Sequence, residues 1–146
     1  MYGSTITLFN YHAATGCWYP SVISGVELGV AHANSSGREG RKNANSFTAL
    51  IHTNDRSART LTTTGGVKSY TGPKEYANCA DPETRYTFTP EQDFIYEGAW
   101  PVLTPIVESQ EDEGLYQKMN SQYDGVHMIQ SAEFFRLLPH FEVEGR

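Results

Sequence analysis

Short segments in which polar and apolar residues alternate make up most of the chain, and this pattern is typical of half-buried β-strands. Ser4–Phe9 places Ile6 and Leu8 on one face, and His140–Glu144 alternates in the same way. Further strand-like runs lie at 17–28, 47–52, 85–89, 93–98 and 127–131, with one short run around Leu61. Clusters of Gly, Asn, Pro and Ser separate these runs, so the pattern predicts a mainly β protein.

Two short helices complete the prediction. Pro73 suits the first position of a helix over 73–78, because its missing N–H would be unpaired there anyway. Ser109 and Asp112 have the spacing of a capping box, which favours a second helix over 111–121. We therefore expect a single domain over 1–146, a small β-barrel or sandwich of six to eight short strands with two short peripheral helices and long loops.

Two polar stretches between the strands are expected to be mobile loops, near 31–46 and 54–66. The first carries Arg38, Arg41 and Lys42, and the second carries Arg56 and Arg59. Long loops within a compact domain are often functional or become ordered on a partner. These five cations are our candidate contact residues for DNA phosphates or for an acidic protein surface.

The formal charge of -6 is an average over two unlike halves of the 146-residue chain. Residues 1–73 hold six Lys and Arg against three Asp and Glu, a net +3, whereas residues 74–146 hold five against fourteen, a net -9. Such asymmetry indicates interaction faces of opposite sign, although a solvated surface with chance clustering is an equally good interpretation.

Motifs for catalysis or metal binding are not evident in the sequence. The five histidines do not have metal-ligand spacing, and Thr64–Lys68 lacks the spacing of a phosphate-binding loop. We therefore expect neither an enzyme nor a cofactor, and neither catalytic nor metal-binding residues. Cys17 and Cys79 are expected to be reduced thiols, and the chain contains neither an apolar run of membrane-spanning length nor an evident signal peptide.

A series of short motifs resembles a family of viral structural proteins. These motifs are Ile6–Asn10, Val22–Val26, Tyr70–Tyr76, Phe88–Gly98 and Leu138–Arg146, in that order. The order is similar to that in head-to-tail connector proteins of long-tailed bacteriophages (siphophages) and prophages, of the head-closure or stopper kind in the neck. The resemblance covers nearly the whole chain.

This resemblance implies a β-barrel subunit that forms a homo-oligomeric ring in the virion neck and helps to close or continue the DNA channel. It implies a portal or adaptor protein on the head side, and tail-terminator or other tail proteins on the other side. It also implies non-specific contact with packaged DNA, no membrane partner, and synthesis in the cytoplasm of the bacterial host.

Two other functions fit the sequence. One is a tail-terminator or tail-completion subunit at the upper end of the tail tube. A small carbohydrate-binding β-sandwich module would instead use Trp18, Trp100 and tyrosines as stacking platforms for sugar rings.

Overall fold

The computed structural model describes residues 3–30 and 46–146. Within these ranges the chain forms ten strands, two short α-helices and two single 3-10 turns. The strands are β1 (Ser4–His12), β2 (Cys17–Val30), β3 (Phe47–His52), β4 (Leu61–Thr63), β5 (Gly66–Tyr70), β6 (Arg85–Tyr86), β7 (Phe94–Glu97), β8 (Ile106–Val107), β9 (Val126–Phe135) and β10 (His140–Gly145). The helices are α1 (Pro73–Asn78) and α2 (Leu115–Gln122), and the 3-10 turns are Pro82–Thr84 and Glu108–Gln110.

Six of the strands close into an antiparallel barrel in the order β1-β7-β9-β10-β3-β2, and pairing of β2 with β1 completes the circle. β8 adds to the outside edge of β2 through Cys17 and Trp18. β4, β5 and β6 form a separate small sheet. The prediction of a mainly β fold with two short helices is confirmed, and the architecture is a barrel rather than a sandwich.

The barrel interior is filled by the apolar residues of the alternating strands. In β10, Phe141 and Val143 are buried while Glu144 between Val143 and Gly145 is exposed. Ile6 and Leu8 of β1 face the same interior, as their period-2 spacing predicts. Phe88 and Phe141 pack with ring centroids 4.9 Å apart, so aromatic contacts occupy much of this core.

A second apolar cluster lies on the outer side of β1 and β7. Phe9 and Phe94 stack there with ring centroids 4.7 Å apart. Leu115 and Met119, four residues apart on α2, cover them. This explains why β1 is buried on both faces, whereas the alternation at 4–9 predicts burial on one face only.

A buried pair of polar residues, Asn10 and Asp93, connects β1 to the turn before β7. The Asp93 carboxylate accepts hydrogen bonds from the Asn10 side-chain amide at 2.9 Å, from Tyr11 N–H at 3.0 Å and from Thr89 N–H at 2.9 Å. Burial raises the pKa of Asp93 to about 6, and these three donors act against that increase. Asn10 in turn donates to the Thr87 carbonyl at 2.6 Å, so the pair links three segments of chain.

The predicted start of the second helix is wrong. The helix begins at Leu115 rather than at 111, because Gly114 adopts φ 91° at its N-cap. The carboxylate of Glu108 accepts the Leu115 N–H at 3.0 Å and the Trp18 Nε1–H at 2.6 Å. This remote carboxylate replaces the predicted cap at Ser109, and it also fixes the position of Trp18.

Other boundaries also differ from the predictions. The run at 85–89 is a strand only over Arg85–Tyr86, and β5 and the two-residue β8 were not predicted. Within 54–66, the expected run around Leu61 is β4. Most of the other predicted loop, residues 31–45 with Arg38, Arg41 and Lys42, lies outside the described residues.

Candidate interaction surface at the hairpin tip

The connection between β9 and β10 carries the most exposed large apolar side chains of the described residues. Phe135 of β9 pairs with His140 of β10, and Arg136–Pro139 form the turn. Leu137 and Leu138 are 87% and 75% exposed. Two adjacent leucines at this exposure form an apolar projection that water solvates poorly. We call residues Phe135–Pro139 the hairpin tip.

Hydrogen bonds from the neighbouring segment hold the hairpin tip in place. Arg56 donates through Nε to the Arg136 carbonyl at 2.6 Å and through Nη2 to the Leu137 carbonyl at 3.0 Å. Thr53 N–H donates to the Pro139 carbonyl at 3.0 Å. The tip is therefore organised before any partner arrives, which lowers the entropic cost of binding.

Asp55 orders the turn that follows Arg56. Its carboxylate accepts hydrogen bonds from Ala58 N–H and Thr60 N–H, each at 2.9 Å, and from the hydroxyls of Ser57 and Thr60. These bonds hold the pKa of Asp55 well below its usual range, since every one of them favours the ionised form. The Asp55 turn thus gives the 54–60 segment a defined course along the hairpin.

Arg59 lies against the base of the same hairpin. Its guanidinium carbon is 4.7 Å from the centre of the Phe134 ring and 5.3 Å from the centre of the Tyr70 ring, distances typical of cation–π contacts. Its carbonyl accepts the Tyr86 hydroxyl at 2.5 Å. Arg59 therefore joins the 54–60 segment to β5 and β9 inside the molecule.

The structure brings together two of the five predicted contact residues. Arg56 and Arg59 both contact the β9–β10 hairpin, one at its tip and one at its base. Leu137 and Leu138 were not predicted as contact residues from the sequence. The sequence does contain a sign of these two residues, because two adjacent leucines in a turn between strands depart from the usual rule that turns are polar.

The two tryptophans named as stacking platforms differ in exposure. Trp18 is only 5% exposed and packs against Phe94 with ring centroids 5.1 Å apart. Trp100 is half-buried and meets Tyr96 and Tyr123 edge to face. Trp18 is thus part of the second apolar cluster and has no free face on which a sugar ring would stack.

A small cavity of about 150 Å³ lies elsewhere, between the start of β2 and the β4–β5 turn. Lys68 lines it and donates to the Ser21 hydroxyl at 2.7 Å and to the Pro20 carbonyl at 3.3 Å. Burial lowers the pKa of Lys68 to about 8. Glu83 lines the same cavity and opposes that shift, so the cavity has no single sign of charge that would select an ion.

In the part of the chain that the structure describes, no three His, Cys, Asp or Glu side chains converge as metal ligands would. Cys17 and Cys79 are both free thiols. None of the described helices has the length and apolar character needed to cross a bilayer.

Comparison with known proteins gives a family and no activity. No curated protein and no solved structure matches the chain. The match to a family covers residues 1–146. The chain therefore belongs to DUF6751, described as a family of unknown function.

Proposed function

We propose that the chain is a structural subunit of the neck of a tailed bacteriophage or prophage particle. In this role it forms a ring between the portal or adaptor protein and the tail, and it helps to close or continue the DNA channel. The observation that carries this proposal is the apolar hairpin tip, which is rigidly held on a closed barrel and exposed in the single chain.

Closure of the barrel limits how neighbouring subunits can meet. β1, β3, β7 and β10 pair with barrel neighbours on both sides over part of their length, whereas β2 and β9 pair with one neighbour over one part and with the other over the rest. Free backbone for adding a strand from another chain is therefore restricted, and we expect contacts between subunits to use mainly side-chain surfaces and projecting hairpins. Full burial of a leucine side chain contributes roughly 1.5–3 kcal/mol, and Leu137 and Leu138 together offer a substantial contact in each subunit.

Assembly into a ring would also explain why the hairpin tip is held rigidly. Each subunit of a cyclic ring presents one surface to the neighbour on one side and a different surface to the neighbour on the other. A projection whose carbonyls are bound by Arg56 and by Thr53 N–H keeps one geometry in every copy. The resemblance to head-closure proteins supports placing such a ring in the neck rather than elsewhere in the particle.

Removing the apolar side chains of the tip is expected to block particle assembly. With Leu137→Ser and Leu138→Ser together in the phage or prophage genome that encodes the chain, we expect DNA-containing heads and separate tails instead of complete particles. We also expect the infectious titre to fall by at least about 100-fold, since one interface contact is lost in every subunit. Electron microscopy of purified lysates and plaque counts measure both effects.

The matched control is Val67→Ser with Val102→Ser, which removes two exposed apolar side chains outside the tip. This control is expected to give complete particles at the wild-type titre. Thermal unfolding of the purified tip variant should match that of the wild type, because Leu137 and Leu138 contribute little to the core. Complete, infectious particles built from the folded tip variant would contradict the proposed function.

A further inference from the structure

Several carboxylates lie at paired positions on the outer face of four neighbouring barrel strands. Glu27 of β2, Leu50 of β3, Glu142 of β10 and Glu133 of β9 are successive cross-strand partners and form one row. Glu144 lies in the next row, paired with Thr48 and Ser131. We call Glu27, Leu50, Glu133, Glu142 and Glu144 the acidic face.

Among the described residues, the acidic face carries no lysine or arginine. The side chains in its rows and in the row of His52, His140 and Phe135 beside it include neither lysine nor arginine. Glu27 and Glu142 each meet a histidine Nε2 at 3.2 Å. Glu133 and Glu144 make neither a hydrogen bond nor an ion pair with the described residues.

Electrostatic repulsion makes this face costly in an isolated chain. Glu133 and Glu142 lie directly opposite each other on neighbouring strands. Like charges at such positions, about 4.5–5.5 Å apart at Cβ, destabilise a sheet. A cation placed over this pair would remove the repulsion, so the face favours a basic partner.

The hairpin tip has the complementary chemistry. Arg136 is exposed, and its guanidinium has no hydrogen bond or ion pair among the described residues. Leu137 and Leu138 follow it directly, and Leu50 lies half-buried among the carboxylates of the face. One tip therefore offers a cation beside apolar groups, and one face offers anions beside an apolar group.

We infer that the acidic face of one copy receives the hairpin tip of a second copy. The occupant is another copy because the tip lies beyond the ends of β9 and β10, which themselves bear the face, and cannot fold back onto it in the same molecule. Every copy then gives one tip and receives one, and when each tip enters the face of the next copy rather than being exchanged between two copies, the contact is head-to-tail and builds a ring. This inference rests on the proposed function in that it supplies the subunit contact of the ring.

Charge exchange in the purified full-length chain tests the contact. Sedimentation velocity is expected to show oligomers of the wild type at about 0.05 M salt and weaker association at about 0.5 M salt. Arg136→Glu alone, or Glu133→Arg alone, is expected to weaken association by about tenfold or more. The two substitutions in the same chain are expected to restore it, because the charges then pair in the opposite sense.

The control exchanges charge on α1, where Lys74 and Glu75 are exposed. Lys74→Glu with Glu75→Arg is expected to associate as the wild type does. The inference is overturned if the wild type stays monomeric at every concentration, or if the double exchange at 133 and 136 does not restore association. It is also overturned if the single variants assemble normally.

These outcomes are separate from those for the proposed function. If the protein is found in the neck but associates independently of Arg136 and Glu133, the proposed function stands and the proposed contact is wrong. If the protein associates through this contact but is not present in tailed particles, the proposed contact stands and the proposed function is wrong.

Discussion

Replacing Asp93 with Ala is expected to lower the free energy of unfolding at pH 7 by about 3–5 kcal/mol. Asp93 is completely buried, and its carboxylate accepts hydrogen bonds from the Asn10 side chain and from the N–H groups of Tyr11 and Thr89. Alanine removes the acceptor of the partly buried Tyr11 and Thr89 N–H groups and one of the two acceptors of the buried Asn10 amide. Urea unfolding followed by tryptophan fluorescence measures the change.

The control is Asp112→Ala, an exposed carboxylate whose loss is expected to change stability by less than about 0.5 kcal/mol. Equal stability of the Asp93→Ala variant and the wild type would show that the polar pair does not fasten β1 to the turn before β7.

The free energy of unfolding is expected to depend on pH through Asp93, in a direction that follows from its pKa. Burial raises the pKa of Asp93 from 3.8 to about 6, so between these values the folded state binds more protons than the unfolded state. The part of the stability that comes from proton binding by Asp93 is therefore fully present below about pH 4 and is lost as the pH rises through 6, whereas the hydrogen bonds to its carboxylate remain at pH 7. The stability difference between the wild type and Asp93→Asn, measured from pH 4 to pH 7, should fall by up to about 3 kcal/mol. Parallel profiles would contradict the assignment.

Gly145→Ala is expected to cost about 2–3 kcal/mol of stability, because a Cβ at this position overlaps the backbone carbonyl oxygen of Met128. The close approach arises where the register shifts between Glu144 and Gly145 opposite β9. Arg146 and Met128 exchange backbone hydrogen bonds of 3.1 Å and 3.0 Å beside it. An added methyl group therefore pushes apart two strands of the closed barrel.

Gly29→Ala provides the matched comparison. Gly29 also lies in a barrel strand, but a Cβ there has no neighbour within 4 Å among the described atoms. Urea unfolding of the two variants should separate them by about 2 kcal/mol. Equal unfolding midpoints for both variants would mean that the close approach at Gly145 does not limit the packing of β9 and β10.

Period-2 alternation predicted the strands that have one buried face. β3 was predicted at its observed bounds and β10 to within one residue, since each has apolar residues inward and, apart from Leu50 of β3, polar residues outward. β8 was missed because a strand of two residues has no measurable period. The start of α2 was wrong because its cap comes from Glu108, seven residues before Leu115, rather than from a local box.

The candidate site was only partly predictable, for a related reason. Charge alone identified Arg56 and Arg59, but it did not show that their guanidinium groups contact the β9–β10 hairpin. The acidic face depends on the registers of four strands that are far apart in the sequence. Glu27 and Glu133 become members of one row only when β2, β3, β10 and β9 pair, so the pattern along the chain does not reveal the face.

Locating the chain within intact particles tests the central claim most directly. The chain would be tagged at its C-terminus in the genome that encodes it, purified particles would be labelled with gold, and the label would be mapped by electron microscopy. The proposed function predicts label at the junction of head and tail in nearly every labelled particle. Label at the distal tip of the tail, or tailed particles that do not contain the chain, would contradict it.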